Sequence, residues 1–396
     1  MLSETPLRNL KRLVVKKILA CFALKIYPKK AKQAIIKFYF KTSTMTTQDF
    51  LGKENYKISS ETVSESCPSN IALIKYWGKY KDQIPANPSI SYTLNHCKTN
   101  TIIEFSANES FSVQTFLAGN EELKFAEKIE KYFRNIEQYL PWILKGKYII
   151  KTENTFPHSS GIASSASGFG AIAKCLMNLD ETFSGKTSEE ESLKKASFLA
   201  RLGSGSACRS LYNGLVVWGE SDEVEGSSDL FAVKYSDKEI HPVFKNFNDW
   251  VLLIHEGVKS VSSTVGHGLM NTNPYAERRF QEARENFVPM KGILKSGDMN
   301  AFIKLVEHEA LTLHAMMMMS DPAFILMKTG TLEVINKIWD FRRETSLPLF
   351  FTLDAGANVH LLFPSDGSEE RIKTFIESEL LQHTQKNGVV KDVMVF

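Results

Sequence analysis

The sequence is short of cysteine, with five in 396 residues, no CxxC pair and an odd total. A disulfide framework uses paired cysteines and a structural zinc site uses closely spaced ones, so neither is expected. Scattered thiols fit a reducing compartment, and we expect a cytoplasmic protein. The cysteines are Cys21, Cys67, Cys97, Cys175 and Cys208.

Long apolar runs are also missing from the N-terminal segment. Its longest uncharged run, Ile18–Leu24, is far shorter than the about 20 residues that a membrane span needs. The segment also lacks an apolar stretch followed by a small-residue cleavage site, so it does not match a secretory signal. We therefore expect no integral membrane span.

Charge is distributed unevenly along the chain. Residues 1–44 contain 11 Lys and Arg and one acidic residue, Glu4, whereas the remainder contains 37 basic and 44 acidic residues. The net charge is thus +10 for the first segment and −7 for the body. Because a nucleic-acid interface needs a basic face, we expect no nucleic-acid partner.

The basic segment 1–44 has three interpretations. It could be an amphipathic helix that lies on an anionic membrane surface. It could be an ordered extension that packs on the body. It could also be absent from the natural protein, if translation begins at Met45. We favour the third interpretation, because the polar stretch after Met45 has the composition of an ordinary domain start.

The chain is 43% hydrophobic and 23% charged, which is typical of globular domains with a core. Strand-like and helix-like patterns mix without strict βαβ alternation, which favours the α+β class. Asp298 is expected to cap a helix, and Asp321-Pro322 to open the next one. We expect three parts, 1–44, 45–240 and 241–396, with a boundary in the polar stretch 236–249. Strands are predicted at 99–106, 147–155, 212–219, 230–235, 250–255, 349–354 and 358–363, and helices at 121–140, 164–179, 188–201, 275–295, 298–315, 323–344 and 367–384.

A loop rich in Gly and Ser, FPHSSGIASSASG at 156–168, precedes one of these helices. Its backbone N–H groups, its hydroxyls and the positive helix N-terminus could surround a phosphate. The Gly-Lys-Ser/Thr of a Walker A loop is absent. The alternative is a site where small residues let the helix pack closely.

Two further motifs combine a cation with small or aromatic residues. The string KYWGKY at 75–80 places Lys75 and Lys79 around Tyr76 and Trp77, where they could bind phosphate oxygens. Its alternative is a solvated edge strand with extended lysines. The string GSGSACRS at 203–210 supplies hydroxyls and one arginine, which suit a carboxylate or a diphosphate. Its alternative is a glycine turn at a helix end.

The string TLDAGANVH at 352–360 places Asp354 where an apolar strand ends. A carboxylate there is costly unless it is paired or acts as a base. The alternative is an Asx turn.

In this order and spacing, the four motifs and KSVSST at 259–264 resemble the mevalonate diphosphate decarboxylases of the GHMP small-molecule kinase superfamily. The resemblance runs from about residue 62 to the C-terminus. It implies a two-lobed GHMP kinase fold, with residues 45–240 as the ATP-binding lobe and the active site in the cleft between the lobes. It further implies ATP-dependent decarboxylation of mevalonate 5-diphosphate to isopentenyl diphosphate, through phosphorylation of the 3-hydroxyl. Homodimers are expected from the same resemblance.

The resemblance also implies roles for individual residues. Asp354, Lys75 and Arg209 match the catalytic positions, Asp354 being the group that orients or deprotonates the 3-hydroxyl. ATP is expected to bring Mg²⁺, held by phosphate and water oxygens with Ser164 or Ser165 as possible ligands. Substrate-binding positions are Asn70, Tyr76, Lys79, Ser206 and Arg209. ATP-phosphate positions are Ser160, Gly161, Ala163, Ser164, Ser165, Ala166 and Ser263. Ser263 and its neighbour Ser262 belong to KSVSST, another loop of the cleft, and the sequence leaves open which of the two faces a ligand.

One departure from the family pattern is Ala357, where many members have proline. Proline would stiffen the turn after Asp354, but alanine removes no functional group, so we expect activity to survive. Three alternatives remain open. The protein could phosphorylate the 3-hydroxyl without decarboxylation, decarboxylate a monophosphate, or be a non-catalytic protein anchored to membranes by residues 1–44.

We predict that the natural protein begins at Met45. Mass spectrometry of the intact protein and of its N-terminal peptide would measure this, and a peptide from residues 1–44 would contradict it. Should the long form exist, its co-sedimentation with anionic liposomes, compared with a chain starting at Met45, tests the membrane anchor. Equal pelleting of the two would exclude an anchor.

Overall fold

The computed structural model describes residues 45–157, 162–255, 257, 261–394 and 396. The chain divides into two compact units, residues 1–51 and 52–396. In the first unit, the described residues contain one 3₁₀ turn, Thr47–Phe50. The interpretations of residues 1–44 lie outside the described residues. Both sheets and the helices that cover them belong to the second unit.

Seven strands form the larger sheet. Their order is β4-β3-β5-β2-β6-β7, and β1 pairs with the long strand β2. β3 and β5 run parallel, and the other pairs are antiparallel. The strands are β1 Glu61–Ile74, β2 Ser89–Ala107, β3 Ser112–Leu117, β4 Asn120–Glu121, β5 Gly146–Asn154, β6 Leu215–Trp218 and β7 Ala232–Lys234.

Four antiparallel strands form the second sheet, in the order β11-β8-β10-β9. They are β8 Phe247–Leu252, β9 Phe350–Thr352, β10 Val359–Pro364 and β11 Val389–Val393. Residues 235–246 connect β7 to β8 and so lead from one sheet to the other. The last three residues of the polar stretch 236–249 belong to β8, because their backbone pairs with β10 and β11.

Helices cover both sheets, which confirms the α+β prediction. They are α1 Leu123–Ile136, α2 Ser164–Ser184, α3 Glu189–Gly203, α4 Ser263–Leu269, α5 Ala276–Ser296, α6 Met299–Met318, α7 Thr329–Thr345 and α8 Glu369–Phe375, the last continuing as a π-helical turn at Ile376–Leu380. In the described part of the chain, no helix combines the length and the apolar character of a membrane span.

The two predicted helix starts have different outcomes. Asp298 caps α6 as predicted, since its carboxylate accepts a hydrogen bond from Ala301 N at 3.0 Å. The prediction that Asp321-Pro322 opens a helix is wrong, because α7 begins at Thr329. Phe324 and Leu326 are buried in a cluster with Trp77, and this packing holds the intervening segment in a non-helical path.

Close packing of α2 on β1 depends on Gly170. A Cβ atom at this position would lie 2.4 Å from the Cys67 sulfur, so a larger residue would push the helix off the sheet. α3 follows with a capping box, in which Ser188 Oγ accepts from Glu191 N at 3.3 Å and the Glu191 carboxylate accepts from the Ser188 backbone N–H at 3.4 Å. The Gly170 contact lets α2 lie directly on β1, and the capping box fixes the beginning of α3.

One buried core joins the two sheets. It contains Ile71 and Tyr92 from the larger sheet, Val251 from the smaller one, and Phe302 from α6. A buried carboxylate, Asp392 on β11, accepts hydrogen bonds from the backbone N–H groups of residues 95–97 at 2.6 to 3.1 Å. The end of β11 is therefore tied to β2.

A second buried carboxylate, Glu309 on α6, lies next to the end of β1. It forms a two-pronged ion pair with Arg279 of α5, and both side chains are at most 1% exposed. Asn286 donates to it at 2.6 Å, and the backbone N–H of Lys75 donates to it at 2.9 Å. Glu309 thus links two helices to the point where β1 ends.

We predict that Glu309→Gln lowers the free energy of unfolding by about 3 kcal/mol, because the Arg279 charge stays buried without its counter-ion. Urea unfolding would measure this. The control is Asp340→Asn, which breaks an exposed pair with Arg343 and should cost at most about 1 kcal/mol. Similar losses in the two variants would contradict the prediction.

Candidate active site

One cavity of about 1160 Å³ collects residues from all four sequence motifs. It opens between the end of β1, the start of α2, the 3₁₀ helix Gly205–Leu211 and the turn after β9. Of the residues singled out in the sequence, the lining contains Lys75, Tyr76, Lys79, Ala163, Ser164, Ser165, Ser206, Arg209, Ser262, Ser263 and Asp354.

Lys75 and Asp354 form an ion pair in this cavity, with 3.2 Å between Nζ and Oδ1. The lysine side chain is 1% exposed and the aspartate side chain 29%, so the carboxylate is the more accessible of the two partners. Burial lowers the pKa of Lys75, and the nearby Asp354 opposes that shift. The alternative interpretation of this motif, a solvated edge strand with extended lysines, is therefore wrong for Lys75.

The turn that carries Asp354 is held by hydrogen bonds to its backbone. His314 of α6 donates from Nε2 to the Asp354 carbonyl at 3.1 Å. The hydroxyl of Thr331, at the start of α7, donates to the Ala357 carbonyl at 2.6 Å. These two bonds restrain the turn that joins Asp354 to Ala357.

Arg209 is a buried cation at the end of the Gly205–Leu211 helix. Its Nε donates to Asn70 Oδ1 at 3.2 Å and its Nη1 to Ser89 Oγ. Within the described residues no carboxylate lies within ion-pair distance, although the side chain is 3% exposed. Asn70 does not line the cavity but holds Arg209 in place. A buried guanidinium that faces a cavity without a counter-ion is suited to an anionic ligand.

Tyr76 brings an unused hydroxyl to the same place. Its OH is buried and has no hydrogen-bond partner among the described residues. Its ring packs between Trp218 and His267, with centroid distances of 4.6 and 4.4 Å. Burial raises the pKa of Tyr76, so the hydroxyl keeps its proton and can donate it in a hydrogen bond.

Two lysines concentrate positive charge on the other side of the cavity. Lys79 donates to Gln83 Oε1 at 2.8 Å, and burial lowers its pKa. Lys128 of α1 also lines the cavity, and burial together with the charge of Lys79 lowers its pKa. Because the charge of Lys79 lowers the pKa of Lys128, an anion bound beside these two lysines would be favoured.

The N-terminus of the 21-residue helix α2 faces the cavity. Ala163 precedes it in a left-handed conformation, at φ 45°, and the Ser165 and Ser204 hydroxyls are 3.3 Å apart. Ala166 is buried and donates its N–H to the Ala163 carbonyl at 2.7 Å. Ser160 and Gly161 lie outside the described residues.

The short helix α4 contributes Ser262 and Ser263. Ser262 Oγ accepts from Val265 N at 3.3 Å, so this hydroxyl serves as the helix cap. Ser263 also lines the cavity, and among the described residues its hydroxyl has no such capping hydrogen bond.

Within the described parts of the chain, no group of three or more His, Cys, Asp or Glu side chains could hold a metal ion. A Mg²⁺ ion here would depend on phosphate and water oxygens, with a serine hydroxyl at the start of α2 as the available protein ligand.

Sequence reasoning missed several residues that shape the cavity. Glu309, paired with Arg279, accepts a hydrogen bond from the Lys75 backbone N–H. His267, Gln83 and Lys128 line the cavity wall. The one available signal was a charged residue, Glu309, inside the apolar pattern of α6. The others occupy ordinary helix or loop positions, where their type alone indicates nothing.

Two family models match the chain. Residues 67–231 match the diphosphomevalonate decarboxylase-like N-terminal domain, and residues 250–394 match the mevalonate 5-diphosphate decarboxylase C-terminal domain. The diphosphomevalonate decarboxylase of Saccharomyces cerevisiae is 31% identical over 336 residues, covering 80% of this chain and 81% of that protein. This chain belongs to the diphosphomevalonate decarboxylase family.

Solved structures of the family have the same fold. Mevalonate diphosphate decarboxylase from Staphylococcus aureus superposes with a TM-score of 0.72 at 28% identity, covering 85% of this chain and 96% of that one. A second structure, described as "MDDEF in complex with MVAPP, AMPPCP and Magnesium", gives a TM-score of 0.72 at 26% identity, covering 85% and 98%. The expected GHMP kinase fold is confirmed, while the homodimer and the cytoplasmic location stay predictions.

We predict that Tyr76→Phe weakens binding of inorganic pyrophosphate about tenfold, because it removes a donor that only an anion in the cavity would use. The melting temperature should stay the same or rise, since the lost hydroxyl has no partner among the described residues of the free protein. Calorimetric titration and thermal unfolding would measure the two effects.

The matched control is Tyr92→Phe, whose buried hydroxyl donates to the Phe244 carbonyl at 2.9 Å. That variant should lose about 1 kcal/mol of stability and keep its affinity for pyrophosphate. Unchanged affinity in Tyr76→Phe would remove this tyrosine from the anion site.

Proposed function

We propose that the protein uses ATP to convert mevalonate 5-diphosphate to isopentenyl diphosphate, with ADP, phosphate and carbon dioxide as the other products. The observation that carries this proposal is the Lys75–Asp354 pair, which shares one cavity with the start of α2 and with the buried cation Arg209. A base, a phosphate-binding helix end and an anion site are the three parts that this reaction requires.

The start of α2 is the proposed site of the ATP phosphates. Its free N–H groups and partial positive charge attract phosphate, and Ser164 and Ser165 add hydroxyls. Mg²⁺ bound to the phosphates would neutralise charge that develops during transfer. One solved family structure is a complex with AMPPCP and magnesium, which supports this part of the proposal.

The opposite wall is the proposed site of mevalonate 5-diphosphate. Tyr76, Lys79 and Ser206 would donate to the diphosphate, and Arg209 to the carboxylate or the diphosphate. Asn70 acts by fixing the Arg209 guanidinium. The match to the mevalonate 5-diphosphate decarboxylase C-terminal domain, and to relatives named diphosphomevalonate decarboxylase, favours the diphosphate over a monophosphate.

The chemistry begins at Asp354. Its carboxylate accepts the proton of the 3-hydroxyl, and the hydroxyl oxygen bonds to the γ-phosphorus as the bond to ADP breaks. Lys75 pairs with the carboxylate and adds positive charge next to the transferred group. The new 3-phosphate then leaves, the carboxylate departs as carbon dioxide, and its electron pair forms the double bond of the product.

The second half of the reaction depends on how the carboxylate is held. Loss of the 3-phosphate builds positive charge on C3, and a carboxylate bound too tightly would be slow to leave. Arg209 is directed by Asn70 and Ser89, so its position is set before substrate arrives. A preorganised cavity lowers the barrier without trapping the ground state.

We predict that Asp354→Asn lowers kcat by about 10² to 10⁴-fold, since it removes the base while keeping the shape of the side chain. An assay with Mg·ATP and mevalonate 5-diphosphate should follow ADP, carbon dioxide and isopentenyl diphosphate together. The wild-type protein should form all three in equal amounts. Asp340→Asn is the control and should retain full activity.

The same assay separates the alternatives. Release of ADP without carbon dioxide would indicate a kinase, and turnover of the monophosphate alone would indicate a different substrate. Undiminished turnover by Asp354→Asn would remove the aspartate from the role of base.

A further inference from the structure

His267 is a buried imidazole on the wall of the cavity, and the proposed reaction gives it no role. It lies on α4, is 7% exposed, and packs between two aromatic rings. Its centroid is 4.4 Å from that of Tyr76 and 4.5 Å from that of Trp77. The ring is therefore clamped, and its orientation is determined by its neighbours.

A hydrogen bond fixes the proton of this imidazole. The backbone N–H of Gly78 donates to His267 Nδ1 at 3.0 Å. Because an amide nitrogen can only donate, Nδ1 must be the acceptor, and the proton of the neutral ring is on Nε2. Nε2 makes no hydrogen bond to any residue that the structure describes, and the side chain lines the cavity.

The surroundings keep the imidazole neutral. Burial, and secondarily the charge of Lys79, lowers the pKa of His267 to about 3. A third cation beside Lys79 and Lys128 would be repelled by them. A neutral N–H donor avoids this cost and still supplies a hydrogen bond to an anion.

We propose that His267 is a substrate-specificity residue that donates its Nε2–H to a phosphate oxygen at the diphosphate end of the substrate. The inference rests on the proposed function, because it takes Tyr76 and Lys79 as the diphosphate site. His267 then has two tasks. Nδ1 holds Gly78 between these two residues, and Nε2 adds a donor beside them.

Two substitutions separate these tasks. In His267→Asn the amide oxygen can replace Nδ1 as the acceptor for Gly78 N–H, but the side chain is too short to replace Nε2. In His267→Gln the longer amide can reach the position of Nε2. We expect His267→Asn to raise the KM for mevalonate 5-diphosphate about tenfold, with little change in kcat or in the KM for ATP. His267→Gln should restore that KM to within about threefold of wild type.

A purely structural role gives a different result. If His267 only holds Gly78, His267→Asn should keep the wild-type KM and His267→Gln should be the damaged variant. That outcome would overturn the proposal. Thermal unfolding of both variants, expected within about 2 °C of wild type for His267→Asn, shows whether folding has been affected.

A measurement on the unmodified protein covers the case in which the variants do not fold. With ¹⁵N-labelled histidine, the Nε2–H signal of His267 should shift on addition of mevalonate 5-diphosphate or inorganic pyrophosphate, but not on addition of ADP. An unchanged signal with both diphosphates overturns the proposal. Wild-type release of carbon dioxide tests the proposed function separately, so the failure of one is distinguishable from the failure of the other.

Discussion

The ion pair between Glu309 and Arg279 is the constraint on which the rest of the cavity depends. A buried charge is tolerated only when it is paired and its hydrogen bonds are satisfied, and here two helices and one strand end meet to satisfy it. The bond from Lys75 N to Glu309 fixes where β1 ends. That position in turn determines where the Lys75 side chain meets Asp354, which arrives from the second sheet. The proposed catalytic pair, Lys75 and Asp354, therefore meets across two sheets at a position that a second ion pair, Glu309–Arg279, helps to fix.

Desolvation decides the chemical character of the wall. Lys75, Arg209 and Tyr76 are each buried against the cavity. Burial lowers the pKa of the two cations and raises the pKa of the tyrosine, which in each case favours the neutral form. Among the described residues, the Tyr76 hydroxyl has no hydrogen-bond partner that would compete with a ligand. Buried polar groups of this kind destabilise the free protein and are stabilised when an anion binds to them. This property distinguishes a binding site from an apolar core. His267 extends this pattern with a donor that carries no charge.

Sequence patterns located most elements but not their edges. The start of α2 at Ser164 was predicted, because a Gly- and Ser-rich loop gave way to helical periodicity there. β1, Glu61–Ile74, was not among the predicted strands, since pairing with β2 rather than composition makes it a strand. β11 was missed for the same reason, as backbone bonds to β8 make a strand of partly exposed residues. The wrong helix start at Asp321-Pro322 resulted from a local signal that burial of Phe324 and Leu326 outweighed.

By itself, the sequence determined the fold class, the family and the types of residue at the site, because motif order and spacing are local properties of the chain. Tertiary structure alone decided which of these residues meet. Lys75 and Asp354 are 279 positions apart and Lys75 and Glu309 are 234 apart, and no local pattern encodes such contacts. It also decided the proton position on His267, since that depends on a backbone amide contributed by a distant loop. Packing of remote segments sets burial and hydrogen-bond partners, and these set the chemistry of each group.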